Sequence, residues 1–266
     1  MGSDRFYRAP TLDKLGVCMD ASAQQIRDAL QAVAQLRQKH AAEPLQARAG
    51  LEVKRFQARR FQATYADLLK SPRYKTAAAF FLEELYGDKD YAERDQQFAR
   101  IASTITRLFP QAVVNTAAAL AQVHALTESL DDLMAGQWQD ENPGSQGLSE
   151  LARYIHCWRR VADAGARHRQ LEVVLNLGRE LDRLTRKPGL RTLLRMMRGP
   201  ANAAELSALQ RFLETGFDAF ADMRGAQAFL ELIEEREREW IRSLFEDDTV
   251  TCETKLGHLM AGDAFS

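Results

Sequence analysis

A chain built wholly of α-helices, arranged as a multi-helix bundle or an irregular array of about nine helices, is what this sequence predicts. Three observations lead there. Apolar residues recur at intervals of 3 and 4 along much of the chain, helix start and stop residues punctuate those stretches, and no segment alternates apolar and polar residues as a half-buried strand does. β-Branched residues are scattered rather than gathered into strand-like runs. With 266 residues and 45% hydrophobic content, one large core or two packed subdomains can form without disulfides or metals.

Each element has its own justification. Ser22 and Gln25, in Ser-x-x-Gln spacing, open a first helix to about Lys39, and Pro44 stands near the start of a second reaching about Leu69. Pro72 begins another that Gly87 closes. Asp90-x-x-Glu93 has capping-box spacing, and Phe98, Ile101, Ile105 and Leu108 then follow on one helical stripe, so residues 71–109 read as a helix hairpin. Pro110 opens a helix to about Met134. After the loop Asn142-Pro143-Gly144-Ser145, Ser149 begins a long helical stretch in which Gly165 and Gly178 are bends or breaks. Pro188-Gly189 and Gly199-Pro200 interrupt the chain, and Asn202-x-x-Glu205 caps a helix carrying Leu206, Leu209, Leu213, Gly216 and Phe220. Arg224-Gly225 ends it, and a last long helix presents Leu230, Ile233, Trp240 and Leu244 on one side. A single domain over residues 1–266 is expected, divisible into 1–141 and 148–266 at the Asn142–Gly147 loop. No tetratricopeptide, HEAT or ankyrin period is present, which argues against a regular solenoid.

Several function classes are disfavoured by composition. The first ten residues carry Asp4, Arg5 and Arg8 and lack the apolar region of a secretory signal, and no stretch is apolar for the ~18 residues a membrane span needs. Cys18, Cys157 and Cys252 are odd in number and form no Cys-x-x-Cys pair, as expected of free thiols in a reducing, cytoplasmic setting.

Charge is distributed unevenly. The formal net charge is −1, yet residues 151–200 carry 12 basic and 4 acidic side chains while residues 201–266 carry 6 and 14. Either the two blocks face and neutralise one another, or each meets something else. The densest basic segment, Arg183 to Arg198, contains no acidic residue. Arg186, Lys187, Arg191 and Arg195 are its candidate anion ligands, since guanidinium groups around a helix start after Pro188-Gly189 suit a phosphate or carboxylate. The competing expectation pairs these arginines with Glu231, Glu234, Glu235, Glu237 and Glu239. Nucleic acid is a poor partner for this segment because it has no Phe, Tyr or Trp to stack on bases, and a helix of about ten residues is short for a membrane surface.

Histidine and carboxylate at helical spacing form a second candidate. His124 with Glu128, and His168 with Glu172, each share a helix face, and two such helices brought together would offer nitrogen and oxygen ligands to iron, manganese or zinc. No histidine has the Glu-x-x-His spacing of di-iron bundles, and Arg167 and Arg169 flank His168, so the expectation without a cofactor stands first. The acidic group Glu83, Glu84, Asp88, Asp90, Glu93 and Asp95 lacks the glycine an EF-hand loop starting at Asp88 needs. No nucleophile elbow, P-loop, dinucleotide fingerprint, His-Glu-x-x-His or kinase set occurs, so no catalytic residue is assigned.

The stretch Phe80-Phe81-Leu82-Glu83-Glu84-Leu85-Tyr86-Gly87, with Arg94-Asp95, Phe98-Ala99-Arg100, Met197–Ala201 and Leu209–Leu213, resembles an uncharacterised bacterial family of helical proteins. The resemblance covers the middle and C-terminal thirds and implies a bacterial cytoplasmic protein; it transfers no site residue. The expected function is therefore a non-enzymatic protein-interaction or regulatory module that meets a protein partner or a second copy of itself. The alternatives are a metal-dependent helical bundle using the His and Glu pairs, and a binder of a phosphorylated or carboxylated small ligand through Arg183–Arg198.

Overall fold

The computed structural model describes residues 12–84, 89–139, 147–161 and 163–262, with side chains from residue 21 onward. These residues form α1 (Leu12–Ala42), α2 (Pro44–Thr64), α3 (Ala66–Lys70), α4 (Lys75–Glu84), α5 (Ala92–Leu108), α6 (Gln111–Trp138) and α7 (Glu150–Val161). They continue with α8 (Ala164–Thr185), α9 (Leu190–Met196), α10 (Arg198–Ala203), α11 (Ser207–Asp222), α12 (Gln227–Glu246) and α13 (Thr249–Ala261). No strand occurs among the described residues, so the all-α expectation holds, with more and shorter segments than about nine because prolines and local caps cut the long stretches.

The boundaries follow backbone chemistry. α2 starts on Pro44, whose missing N–H is no loss in a first turn. Ser71 and Phe109, each preceding a proline, are extended at ψ 126° and 153° and end α3 and α5, because the proline ring disfavours helical geometry in the residue before it. Asp163 and Asp248 cap α8 and α13 by accepting the amides of Ala166 and Thr251 at 2.6 and 3.0 Å. Arg224 and Gly225, at φ 53° and 124°, turn the chain between α11 and α12 as expected.

Four expectations require correction. Ser22 is interior to α1, which already begins at Leu12. Asp90 accepts the amide of Ala92 at 2.9 Å while Glu93 accepts from Gln97, so the turn before α5 is local and not a reciprocal capping box. Asn202 lies inside α10, which runs through Gly199-Pro200, and Glu205 takes the left-handed position (φ 56°) of a Schellman ending. There the Leu206 amide donates to Ala201 at 2.8 Å and the Glu205 amide to Asn202 at 3.1 Å. Gly178 does not break α8: a Cβ there would lie 2.6 Å from Leu230 Cδ2, so glycine permits the close passage of α12. Gly87 and residues 142–146 of the dividing loop lie outside the described residues.

Two apolar clusters fill the interior. One joins Phe56, Phe81, Tyr154, Leu175, Phe220 and Phe229 from α2, α4, α7, α8, α11 and α12. The other joins Ile26, Leu30, Phe98, Ile105 and Val114 from α1, α5 and α6. α6 serves both, its first half through Val114, Ala118 and Ala121 and its second through Met134 and Trp138. The stripe from Phe98 to Leu108 is only partly internal: Phe98 and Ile105 are buried, whereas Leu108 is exposed.

Candidate functional site

Positive and negative quarters of the chain do meet, but chiefly through α11. Arg191 Nε donates to Asp218 Oδ1 at 2.7 Å and lies 3.9 Å from Asp222, Arg195 is 3.5 Å from Asp218 Oδ2, and Arg198 Nε donates to Glu214 at 2.8 Å. Glu214, Asp218 and Asp222 are spaced by four and share one face of α11. Arg198's hydrogen bond and charge hold the Glu214 carboxyl below its usual range. The expected Glu231–Glu239 partners are mostly engaged otherwise: Glu237 with Arg60 and Glu239 with Arg242 and Lys255, while Glu234 meets a basic-block residue, Arg179.

The sequence-predicted anion ligands are thus largely occupied. Arg186 pairs with Asp182 of its own helix turn, Arg191 and Arg195 share Asp218, and Lys187 is exposed. α9 has only seven residues, too short for a developed N-terminal anion site.

The histidine pairs are also separately placed. His124 Nε2 lies 2.8 Å from Asp95 Oδ2, Lys54 Nζ donates to Glu128 at 2.7 Å, and His168 and Glu172 occupy the exposed side of α8. Among the described residues no group of three or more His, Cys, Asp or Glu is placed to hold a metal ion. Asp95 is the real junction of that region. Buried to 4% exposure, it receives Arg37 and Arg94 as well as His124. Burial pushes its carboxyl up, but the bond and charge of His124, then Arg94 and Arg37, more than offset this and bring it to about 2.

One surface segment stands apart from this compensated interior. α9 buries no residue; Leu193, Met196 and Met197 on it and at its end are exposed, Met196 to 71%. Leu213 on α11, next to the Glu214 that holds Arg198, is exposed too. Of the ion pairs between α9–α10 and α11, Arg198 is 62% exposed against 14% for Glu214 and Arg195 51% against 34% for Asp218, whereas Asp222 is more exposed than its partner Arg191. Exposed apolar side chains and exposed guanidinium groups thus occur together on α9, the adjoining residues and α11, with Glu214 and Asp218 less exposed than the Arg198 and Arg195 they hold. Apolar exposure of this kind, bordered by fixed polar groups, is the usual mark of an interaction site.

A second assembly is internal. Arg60 Nη1 and Nη2 donate to Glu237 Oε1 and Oε2 at 3.2 and 2.9 Å, and Tyr65 O–H donates to the same carboxylate at 2.8 Å. Gln57 Nε2 donates to Asp131 at 3.1 Å, and Gln170 Nε2 to Thr127 Oγ1 at 2.7 Å. Arg167 lies over the Trp158 ring at 4.1 Å and reaches the Met134 sulfur at 3.1 Å. Burial raises the Asp131 carboxyl, opposed by the charges of Lys54 and Arg167. Tyr154 O–H and Trp158 Nε1, both buried, have no hydrogen-bond partner among the described residues. Each such orphan donor costs about 1–3 kcal/mol unless something satisfies it.

Of these interior residues the sequence marks only Glu237, as a partner expected for the basic block, and Arg167, as a charge beside His168, and neither as interior. Their one signal is register: Gln57 and Arg60 stand four and seven residues after buried Val53, on the stripe that Phe56 and Phe61 line. Cys157 and Cys252 are free and buried, and burial pushes the Cys157 thiol up to about 12, so it is a packing residue, not a nucleophile. Among the described residues no helix is long and apolar enough to cross a membrane.

Comparison with known proteins places the chain in one family. The profile of a Domain of unknown function (DUF8198) matches residues 35–251, and the chain belongs to that family. No curated protein and no solved structure matches it significantly.

Proposed function

We propose that this member of the family is a regulatory helical module that acts by binding another protein, and that α9 with the adjoining face of α11 is where it does so. One observation carries the reading: exposed Leu193, Met196, Met197 and Leu213 coincide with the exposed arginines Arg195 and Arg198, held in place by Asp218 and Glu214. Arginines fixed in this way keep their charge outward without the entropy loss of ordering free side chains. The partner that fits is an acidic amphipathic helix, its apolar side on the leucines and methionines and its carboxylates on exposed Lys187 and on the outward sides of Arg195 and Arg198, which Asp218 and Glu214 engage from one side only. A bacterial, cytoplasmic setting belongs to the same proposal, supported by the Phe80–Gly87 resemblance and by the unpaired thiols of Cys157 and Cys252. The reading requires no cofactor.

Two synthetic helical peptides with the same leucine positions, one otherwise glutamate-rich and one lysine-rich, test it by fluorescence anisotropy. The glutamate peptide is expected to bind, more weakly as salt rises, and the lysine peptide is not. The Leu193→Glu/Met196→Glu double variant is expected to lose about tenfold or more in affinity, with an unchanged thermal midpoint because both side chains are exposed. Equal binding of the two peptides, or undiminished binding by the double variant, would overturn the proposal. So would a dimer of the chain itself that this variant dissociates, because the patch would then belong to a second copy.

A further inference from the structure

Residues 190–204, which span α9 and α10, are bounded by two left-handed residues. Gly189 precedes them at φ 81° and Glu205 follows at φ 56°. Ala201 is the one buried residue of α9 and α10, and Leu190 and Leu194 are half-buried. Contact with α11 comes from Arg191, Arg195 and Arg198 on Asp218 and Glu214, and from Gln210 Nε2, which donates to the Leu194 carbonyl at 2.6 Å. Ion pairs as exposed as these contribute little, because water screens them. The segment is thus a strap laid over α11 with hardly any apolar burial beneath it. At its first end a Cβ on Gly189 would meet nothing within 4 Å, so the chain there has room to turn.

The other end carries the fastening. A residue with a Cβ adopts positive φ against steric repulsion from its own backbone, which glycine escapes. Glu205 is held there by Arg100 of α5, whose Nη2 donates to the carbonyls of Ala204 and Glu205, both at 2.7 Å. Those two carbonyls flank the φ and ψ bonds of Glu205. In helical geometry of either hand they point the same way, so one nitrogen reaches both; in extended geometry they point to opposite sides and one contact is lost. Arg100 therefore favours the left-handed turn, and with it the 2.8 Å bond from the Leu206 amide to the Ala201 carbonyl that closes α10. Gln97, nearly one turn earlier on α5, accepts the Leu209 amide at 2.8 Å and fixes the start of α11. The strap is thereby fastened to a helix that also holds its support.

We propose that α9–α10 is a strap that lifts from α11 on hinges at Gly189 and Glu205, that Arg100 latches it down, and that the latch decides which charge this face presents. Latched, the strap shows its arginines. Lifted, it bares Glu214, Asp218 and Asp222 on one face of α11, and those carboxylates repel an acidic helix. Arg100 is thus a positioning residue for the peptide-binding surface. That consequence for affinity rests on the proposed function, whereas the latch itself does not.

Hydrogen–deuterium exchange of the full chain without peptide reads the latch, and anisotropy with the glutamate-rich peptide reads its consequence. Arg100→Ala is expected to speed exchange over residues 190–206 about tenfold, with α2 and α6 unchanged, and to weaken the peptide about fivefold, since a smaller fraction of the chain is then competent to bind. Adding Glu205→Gly, which takes positive φ without a Cβ, is expected to recover most of both losses. Adding Glu205→Gln instead removes the same charge but keeps the Cβ, and is expected to recover neither. Unchanged exchange in Arg100→Ala, or equal recovery by the Gly and Gln variants, would overturn the latch. Peptide affinity that ignores Arg100→Ala despite faster exchange would overturn the role given to Arg100 in binding. Exchange that follows the latch in a chain that binds no peptide supports the strap and counts against the binding surface instead.

Discussion

Glu237→Leu is expected to lower the stability of the chain by about 3–5 kcal/mol, read as a reduced urea midpoint with an unchanged slope. The cause is what the substitution leaves behind. Arg60, at 3% exposure, loses both oxygens of a bidentate partner, and Tyr65 loses the acceptor of its hydroxyl. A guanidinium held in a dry interior without its counter-charge costs far more than the pair itself contributes, because desolvation of both ions has already offset most of their attraction. The double variant Arg60→Met/Glu237→Leu is therefore expected to recover most of the loss. It retains the cost of the hydrogen bond that Tyr65 loses with Glu237, about 0.5–1.5 kcal/mol. A double variant as unstable as Glu237→Leu alone would show that the ion pair is not the source of the penalty.

Asp95→Asn is expected to be the second large effect, and to depend on pH in a defined direction. The native carboxyl titrates near 2, below its ordinary value of 3.8. Its folded state is thus the poorer proton binder, so the contribution is complete above pH 4 and is lost as pH falls from there through 2. A depression of this size corresponds to about 2 kcal/mol. Wild type is expected to lose that much across the window through this residue, while Asp95→Asn starts about 2 kcal/mol lower at neutral pH and shows a flatter acid limb. Parallel acid limbs for the two proteins would mean that the junction of Arg37, Arg94 and His124 contributes little. Urea unfolding repeated at several pH values provides the comparison.

Much of the fold was legible because helices announce themselves locally. Pro44, Pro110 and Arg224-Gly225 mark boundaries through backbone restrictions that need no tertiary context. The misread boundaries have one origin. Asn202-x-x-Glu205 has the letters of a capping box, yet Glu205 occupies the left-handed position that glycine usually fills, supported where its carbonyl and that of Ala204 accept from Arg100 at 2.7 Å. Gly178 looked like a break because the helix that passes over it, α12, is distant in sequence. Charge segregation was visible as block composition, and the docking of the basic block on acidic residues follows from it. Which carboxylates receive the arginines depends on the placement of α11 beside α9, and composition carries no such geometry.

The histidine pairs illustrate the same limit from the other side. Spacing places His124 and Glu128 on one face, but Asp95 from α5 and Lys54 from α2 reach them first. The interior residues Arg60, Asp131, Arg167 and Glu237 were hidden for a different reason. A charged residue on an apolar stripe is ambiguous in sequence, since long side chains at such positions commonly extend to solvent. Only the convergence of α2, α6, α8 and α12 reveals that these four cannot.

Hydrogen–deuterium exchange on the full chain, alone and with the glutamate-rich peptide, tests the assignment of α9 and α11 most directly. Amides of α9 and α10, where only Ala201 is buried, are expected to exchange far faster than those of α2, α6 and α12, and the peptide is expected to slow exchange over residues 190–203 and the middle of α11 around Leu213 alone. Protection already as high there as in the core, or peptide-induced protection confined to other helices, would contradict it.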